Sequence, residues 1–226
     1  MLKQYVLFTN NSSKSPVDYS RGLQRKGCNV EGKVLTTADV AAYYYHQNYE
    51  NQNIYLVGTD ALGEYLRQKG VSITTEDAKA VFVSFDKSFT YEKMRLATAF
   101  INKGADYVAT HMDLTCPVEE GMIPDCGSIC ASITAATGVN PVMLGKPNSL
   151  VVDVISNITG VEPENITFVG DRLSTDIMVS KERGAKSILT LEGDCDRGKL
   201  EKSDIKPDFV YDSINALLHD LKGTCE

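Results

Sequence analysis

The stretch Ile166-Thr167-Phe168-Val169-Gly170-Asp171-Arg172-Leu173-Ser174-Thr175-Asp176 decides the fold. It opens as a short apolar run closed by glycine, the pattern of a buried parallel strand. Asp171 stands just past the strand's C-terminal end, where open α/β sheets bind their ligands. Asp176 falls in the first turn of the next helix and can lean back toward the same point. Two carboxylates around a hydrated site suit Mg²⁺, which takes few protein oxygens and keeps water and phosphate. The competing reading is that Asp171 and Asp176 merely start and cap a helix. A bare Gly-Asp pair would favour that; Arg172-Leu173 and Thr175-Asp176 attached to the pair favour the functional reading.

Outward from this stretch, strand-like runs alternate with helical patterns. Tyr5-Val6-Leu7-Phe8, Ile54-Tyr55-Leu56-Val57, Ala80-Val81-Phe82-Val83-Ser84-Phe85 and Asp106-Tyr107-Val108-Ala109-Thr110 read as strands. Val151, Val154, Ile155 and Ile158 recur at helical spacing, as do Ile214, Leu217, Leu218 and Leu221. Asp212 or Ser213 would cap the latter helix, and Gly184 would end the helix after Asp176. Tyr91 to Lys103 reads as a helix with Met94, Ala97 and Ile101 on one face, stopped at Gly104. Gly127 to Thr137 reads as another, ending at Gly138. The alternation predicts an α/β fold with a parallel sheet. A second unit is expected as an insertion at about 60–142, with the main domain formed by 1–59 and 143–226.

The 226 residues suffice for one large domain or two smaller ones, and 42% apolar content permits a real core. A net charge of −7 without a Lys/Arg cluster excludes nucleic acid and an anionic membrane surface as main partners. No stretch approaches the length of a membrane span, and no signal-type segment opens the chain. Cys28, Cys116, Cys126, Cys130, Cys195 and Cys225 form no CxxC pair and no zinc spacing. They are expected as free thiols in a reducing compartment, which places the protein in the cytoplasm.

An acidic protein that handles a phosphate ester needs a local positive device. Lys146, in Gly145-Lys146-Pro147, would neutralise the charge that crowds together in phosphoryl transfer. Pro147 suits a helix start. Alone, this tripeptide reads more readily as a surface turn. Thr9-Asn10-Asn11-Ser12-Ser13 follows a strand and combines a hydroxyl, backbone N–H groups and a helix N-terminus, the parts of a phosphate cradle. The same residues would also supply a capped helix start.

Together these segments resemble the haloacid dehalogenase superfamily of phosphatases, in its NagD-like branch that includes the 4-nitrophenyl phosphatases. The likeness extends to Val57-Gly58-Thr59, Phe85-Asp86 with Phe89-Thr90-Tyr91, Ala109-Thr110 with Asp113, Gly127-Ser128 and Lys206-Pro207-Asp208 with Asp212-Ser213. It covers nearly the whole chain. The resemblance implies a Rossmann-like core with an inserted α/β cap. It also implies a Mg²⁺-dependent hydrolysis of small phosphorylated metabolites through an aspartyl-phosphate. Carried over by position, Thr9, Asn10 and Asn11 would hold the phosphate. Lys146 would steady nucleophile and phosphate, Asp171 would bind Mg²⁺, and Asp176 would support the metal shell. His111 and Asp113 of the cap would contact the leaving group. A homodimer through the cap surface is a further expectation.

One departure matters. The family's first motif is a strand ending in DxDGT, a few dozen residues before the Thr-Asn-Asn segment, and no such motif precedes Thr9. Asp86 with Thr90 looks superficially similar, but position 88 is Ser and the resemblance puts this strand in the cap. Asp194-Cys195-Asp196 follows a strand but lies after Asp171, in the wrong order. The expectation is an N-terminally truncated phosphatase, nearly inactive as written, whose sheet lacks its first strand. The alternative is a non-catalytic relative that binds a phosphorylated ligand or a protein partner. A dinucleotide-dependent oxidoreductase is disfavoured because no GxGxxG follows a strand.

Overall fold

The structure, a computed structural model, describes residues 4–223. Cys225, expected above as a free thiol, lies outside the described residues. The chain divides into two units, Met1–Gly145 and Lys146–Glu226.

In the first unit the order is β1 (Leu7–Thr9), α1 (Pro16–Arg25), β2 (Val34–Thr36), α2 (Thr37–Asn48), β3 (Ile54–Val57), α3 (Asp60–Gln68) and β4 (Ala80–Val83). It continues with α4 (Tyr91–Asn102), β5 (Asp106–Ala109), β6 (Thr115–Val118), β7 (Gly121–Pro124), α5 (Cys126–Thr137) and β8 (Val142–Met143). Strands β3-β4-β5-β8 form a parallel four-stranded sheet. All four residues of β4 are buried, which explains their unbroken apolar run. Side chains alternate across the sheet. Tyr55, Val57, Val81, Val83, Tyr107 and Ala109 pack with Ala97 and Ile101 of α4 and Ile129 and Ile133 of α5. Phe82 points the other way and meets the rings of Tyr44 of α2 and Tyr49 just past its end, at centroid distances of 6.3 and 5.9 Å.

Polar side chains set the helix ends. The Thr36 hydroxyl and the Asp39 carboxylate form a capping box on α2, and Thr90 caps α4 through the Lys93 N–H. Gly138 closes α5 in the left-handed conformation at φ 74°. Strands β1 and β2 form a separate parallel pair, with Leu7 opposite Val34 and Thr9 opposite Thr36. Strands β6 and β7 form an antiparallel hairpin. The bounds 60–142 expected for an inserted unit exclude β3 and cut through β8, and hydrogen bonding places both in the same sheet as β4 and β5. The cause is register: Ile54 to Val57 run beside Ala80 to Val83, a pairing between residues far apart in sequence.

In the second unit α6 (Leu150–Thr159) precedes β9 (Thr167–Gly170). β10 (Lys186–Thr190), α7 (Arg197–Lys202), β11 (Phe209–Tyr211) and α8 (Ile214–Gly223) follow. The sheet order is β11-β10-β9, all parallel. Ile177, Leu189 and Cys195 form a small core with Leu173, Leu191, Leu200 and Ile205 around it. Ser213, not Asp212, caps α8 by accepting the Ala216 N–H at 2.9 Å, while Asp212 pairs with Arg197. Pro147 does not start α6, which begins three residues later, after Ser149; the Lys146–Pro147 peptide is cis.

The α-helix expected between Asp176 and Gly184 is absent. Residues Leu173–Ile177 form one π turn and Met178–Ser180 a 3₁₀ turn. The Asp176 and Ile177 N–H groups both reach the Arg172 carbonyl, at 2.9 and 3.3 Å, which widens the turn. No helix among the described residues is long and apolar enough to cross a membrane.

Candidate active site

The first unit holds Thr9, Asn10, Asn11, His111 and Asp113 together. The loop after β1 is shaped by its own side chains. Thr9 Oγ1 accepts the Asn11 N–H at 3.2 Å, and Asn11 Oδ1 accepts the Ser13 N–H and hydroxyl at 3.0 and 2.8 Å. Helix α1 begins only at Pro16, capped by Ser15, so Asn10–Ser13 form a loop between β1 and α1 and not a helix cap. Thr37 donates to the Asn10 carbonyl at 2.6 Å, and Asn10 Nδ2 donates to Asp113 Oδ2 at 3.2 Å. Gly145 packs against this loop. A Cβ there would fall 2.8 Å from Asn10 Oδ1 and 2.7 Å from the Thr110 carbonyl oxygen, so only glycine fits. Asn11 Nδ2 lies 3.6 Å from Cys116 Sγ, in the hairpin that follows Asp113.

His111, expected as a leaving-group contact, is fully enclosed. It has no exposed surface, and both ring nitrogens are engaged, with Thr110 Oγ1 at 3.0 Å and Asp125 Oδ1 at 2.9 Å. Thr110 Oγ1 lies 3.0 Å from Ser12 Oγ, which accepts the Phe85 N–H at 3.0 Å. Asp125 accepts the Cys126 N–H at the start of α5. His111 thus ties the loop after β1 to the ends of β4 and β5 and to α5. Asp113 is half-buried and keeps a polar contact to Asn10.

The second unit holds Lys146, Asp171 and Asp176. Lys146 Nζ donates to Asp176 Oδ1 at 2.5 Å, with both side chains about 15% exposed (14% and 15%). Asp176 Oδ2 accepts the Arg172 N–H at 3.2 Å, so this carboxylate also closes the π turn. Asp171 Oδ2 accepts the Asp194 N–H at 2.8 Å. Two glycines make room for the carboxylates. A Cβ on Gly170 would lie 2.4 Å from Asp176 Cγ, and one on Gly193 would lie 1.8 Å from Asp171 Oδ2. Both carboxylates therefore lie against glycine backbone: Gly170 ends β9 and Gly193 follows β10.

The donor set fits a hydrated Mg²⁺. It consists of hard carboxylate oxygens only, and Asp171 Oδ1 accepts no hydrogen bond among the described residues. Among those residues no group of three or more His, Cys, Asp or Glu side chains could hold a metal. Mg²⁺ commonly completes its shell with water and phosphate oxygens.

Asp86, which follows β4, is buried and already paired. Lys93 Nζ donates to it at 2.6 Å, and Ser88 donates through both N–H and hydroxyl. The same Lys93 donates to the Gly58 carbonyl at 2.9 Å, so this pair clasps the loops after β3 and β4. Sequence reasoning assigned no role to Thr37, Gly193 or the Asp194 N–H. Each acts through a contact across the fold that residue type alone does not announce.

Comparison with known proteins gives the class. A family model described as Haloacid dehalogenase-like hydrolase matches residues 1–72, and one described as HAD-hydrolase-like matches residues 143–217. The chain is 30% identical over 211 residues to the 5'-nucleotidase YutF of Bacillus subtilis, covering 93% of this chain and 82% of that protein. It is 28% identical over 220 residues to an acid sugar phosphatase of Staphylococcus epidermidis, covering 96% and 85%. The crystal structure of a 4-nitrophenylphosphatase from Thermotoga maritima superposes with a TM-score of 0.91 at 42% identity, covering 96% of this chain and 84% of that one. The chain belongs to the haloacid dehalogenase superfamily, among the NagD-like and 4-nitrophenyl phosphatases.

Proposed function

We propose that this chain is the framework of a Mg²⁺-dependent phosphoric monoester hydrolase for small phosphorylated metabolites in the cytoplasm. The observation that carries the reading is the half-buried Lys146–Asp176 pair next to the glycine-cleared Asp171 in the second unit. An ammonium held at 2.5 Å by one carboxylate stays oriented while it offers charge to phosphoryl oxygens. Asp171 fixes one oxygen on a backbone N–H and leaves the other for a cation. When bound, Mg²⁺ would polarise the phosphoryl group and offset its charge. Thr9, Asn10 and Asn11 supply neutral donors for a phosphate, from a loop that their own hydrogen bonds hold in shape. Names of relatives support the substrate class: a nucleotidase, a sugar phosphatase and a nitrophenyl phosphatase all cleave phosphate from a compact leaving group.

In this family an aspartate in DxDGT attacks the phosphorus and forms an aspartyl-phosphate. These 226 residues carry no DxDGT. The polypeptide as given should therefore bind Mg²⁺ and phosphate yet turn over almost nothing, since loss of a nucleophile costs orders of magnitude in rate. The alternative reading is a chain that only binds a phosphorylated ligand or a protein partner.

The test uses the purified 226-residue chain. With Mg²⁺ and 4-nitrophenyl phosphate, hydrolysis is expected at background. Calorimetric titration with Mg²⁺ and with inorganic phosphate is expected to show binding, and Lys146→Gln should weaken the phosphate signal. Appreciable Mg²⁺-dependent turnover would sink the claim of inactivity. Lack of both binding signals would overturn the site assignment.

A further inference from the structure

The segment 191–196, between β10 and α7, bears directly on Asp171. Asp171 Oδ2 accepts the Asp194 N–H at 2.8 Å, and the Asp171 carbonyl accepts the Cys195 N–H at 3.1 Å. Gly193 presses on the same carboxylate, where a Cβ would meet Oδ2 at 1.8 Å and Cγ at 2.6 Å. Gly193 is not among the positive-φ glycines, so the turn's backbone does not demand glycine there. The nearby carboxylate does. The segment is itself anchored on several sides. Cys195 is 1% exposed and packs with Ile177 and Leu189. Asp194 faces Arg172 at 3.9 Å and Lys199 at 3.8 Å. Leu191 N–H donates to the Tyr211 carbonyl at 3.1 Å, and Glu192 accepts the Ile214 N–H at 2.8 Å.

We propose that the 191–196 turn is a positioning device for Asp171, with Gly193 as a positioning residue that holds the carboxylate oxygen Oδ1 ready for a divalent cation. The chain of reasons is short. One carboxylate oxygen is fixed by a backbone donor, and the glycine removes the only side chain that would push the group away. The turn cannot drift, because its own core residue and flanking strands hold it. A ligand whose orientation is pre-set binds its metal more tightly.

This inference rests on the metal-binding role proposed for Asp171. The test is a Mg²⁺ titration of the 226-residue chain by calorimetry. Gly193→Ala is expected to bind about 10–100-fold more weakly than the wild type, the range usual for groups that orient a metal ligand. Gly198→Ala, on α7, should bind like the wild type. A second measurement needs neither metal nor the Gly193 variant to fold. Amide exchange at Asp194 should be protected in the wild type and lose that protection in Asp171→Ala, while Leu189 in β10 stays protected in both. Wild-type Mg²⁺ affinity in Gly193→Ala overturns the proposal. So does an Asp194 amide equally protected with and without the Asp171 side chain. If the wild type binds no Mg²⁺ while Asp194 protection still depends on Asp171, the function proposed above fails and the positioning of Asp171 stands.

Discussion

Truncating His111 would take a hydrogen bond from two buried partners at once. Asp125 and Thr110, 4% and 1% exposed, each share a hydrogen bond with its ring. His111→Ala leaves a polar cavity and a buried carboxylate held, among the described residues, by the Cys126 N–H alone, and should cost about 2–4 kcal/mol of stability by urea unfolding. Asp208 gives a different, pH-dependent signal. Ser187 donates to its carboxylate through the hydroxyl at 2.6 Å and the N–H at 2.8 Å, and Lys181 lies 3.7 Å away. The Ser187 hydrogen bonds, above all, hold its pKa below the ordinary carboxylate value of 3.8. A depressed value means the stabilisation is present above that ordinary value and is lost as pH falls through the folded one. Asp208→Asn should therefore lower the urea midpoint at neutral pH, and the gap from wild type should narrow as the pH falls below the ordinary carboxylate value. A gap that stays constant with pH would refute this.

At the scale of elements, α5 shows how a single glycine ends a helix. Gly138 adopts φ 74° with no atom within 4 Å of a notional Cβ, so its role is conformational and not steric. Gly138→Ala should cost about 1–2 kcal/mol, and Gly138→Asn less, in thermal unfolding. This helix end was legible in the sequence, as were the stop of α4 near Gly104 and the strand before Asp171. Each is encoded locally, by apolar spacing and a punctuating glycine. The segment after Asp176 was not legible. Its π turn follows from two N–H groups sharing the Arg172 carbonyl and from the Asp176 carboxylate capping the Arg172 N–H. The membership of β3 in the sheet with β4 was likewise hidden, since pairing depends on distant partners. The same division runs through the candidate site. Residue types pointed to Asp171, Asp176 and Lys146, yet the burial of His111 and the pressure of Gly193 on Asp171 exist only in three dimensions.

Across the whole molecule, protection should follow burial and pairing. β4 is buried at every position and flanked by β3 and β5, so its amides should exchange slowest in the first unit. β1 is only three residues long and is exposed or half-buried, so its amides should exchange sooner. Faster exchange in β4 than in β1 would contradict this ranking. The rings of Tyr44 and Tyr49 around Phe82 belong to a wider asymmetry. Of eleven tyrosines, all but Tyr211 fall in the segment Met1–Gly145, and the chain contains no tryptophan. Near-ultraviolet dichroism and tyrosine emission therefore watch that segment almost exclusively, while far-ultraviolet dichroism sees both. A tyrosine signal that melts apart from the backbone signal assigns its transition to residues 1–145 without any label, and a tryptophan placed at Phe168 would give the other segment an optical voice of its own.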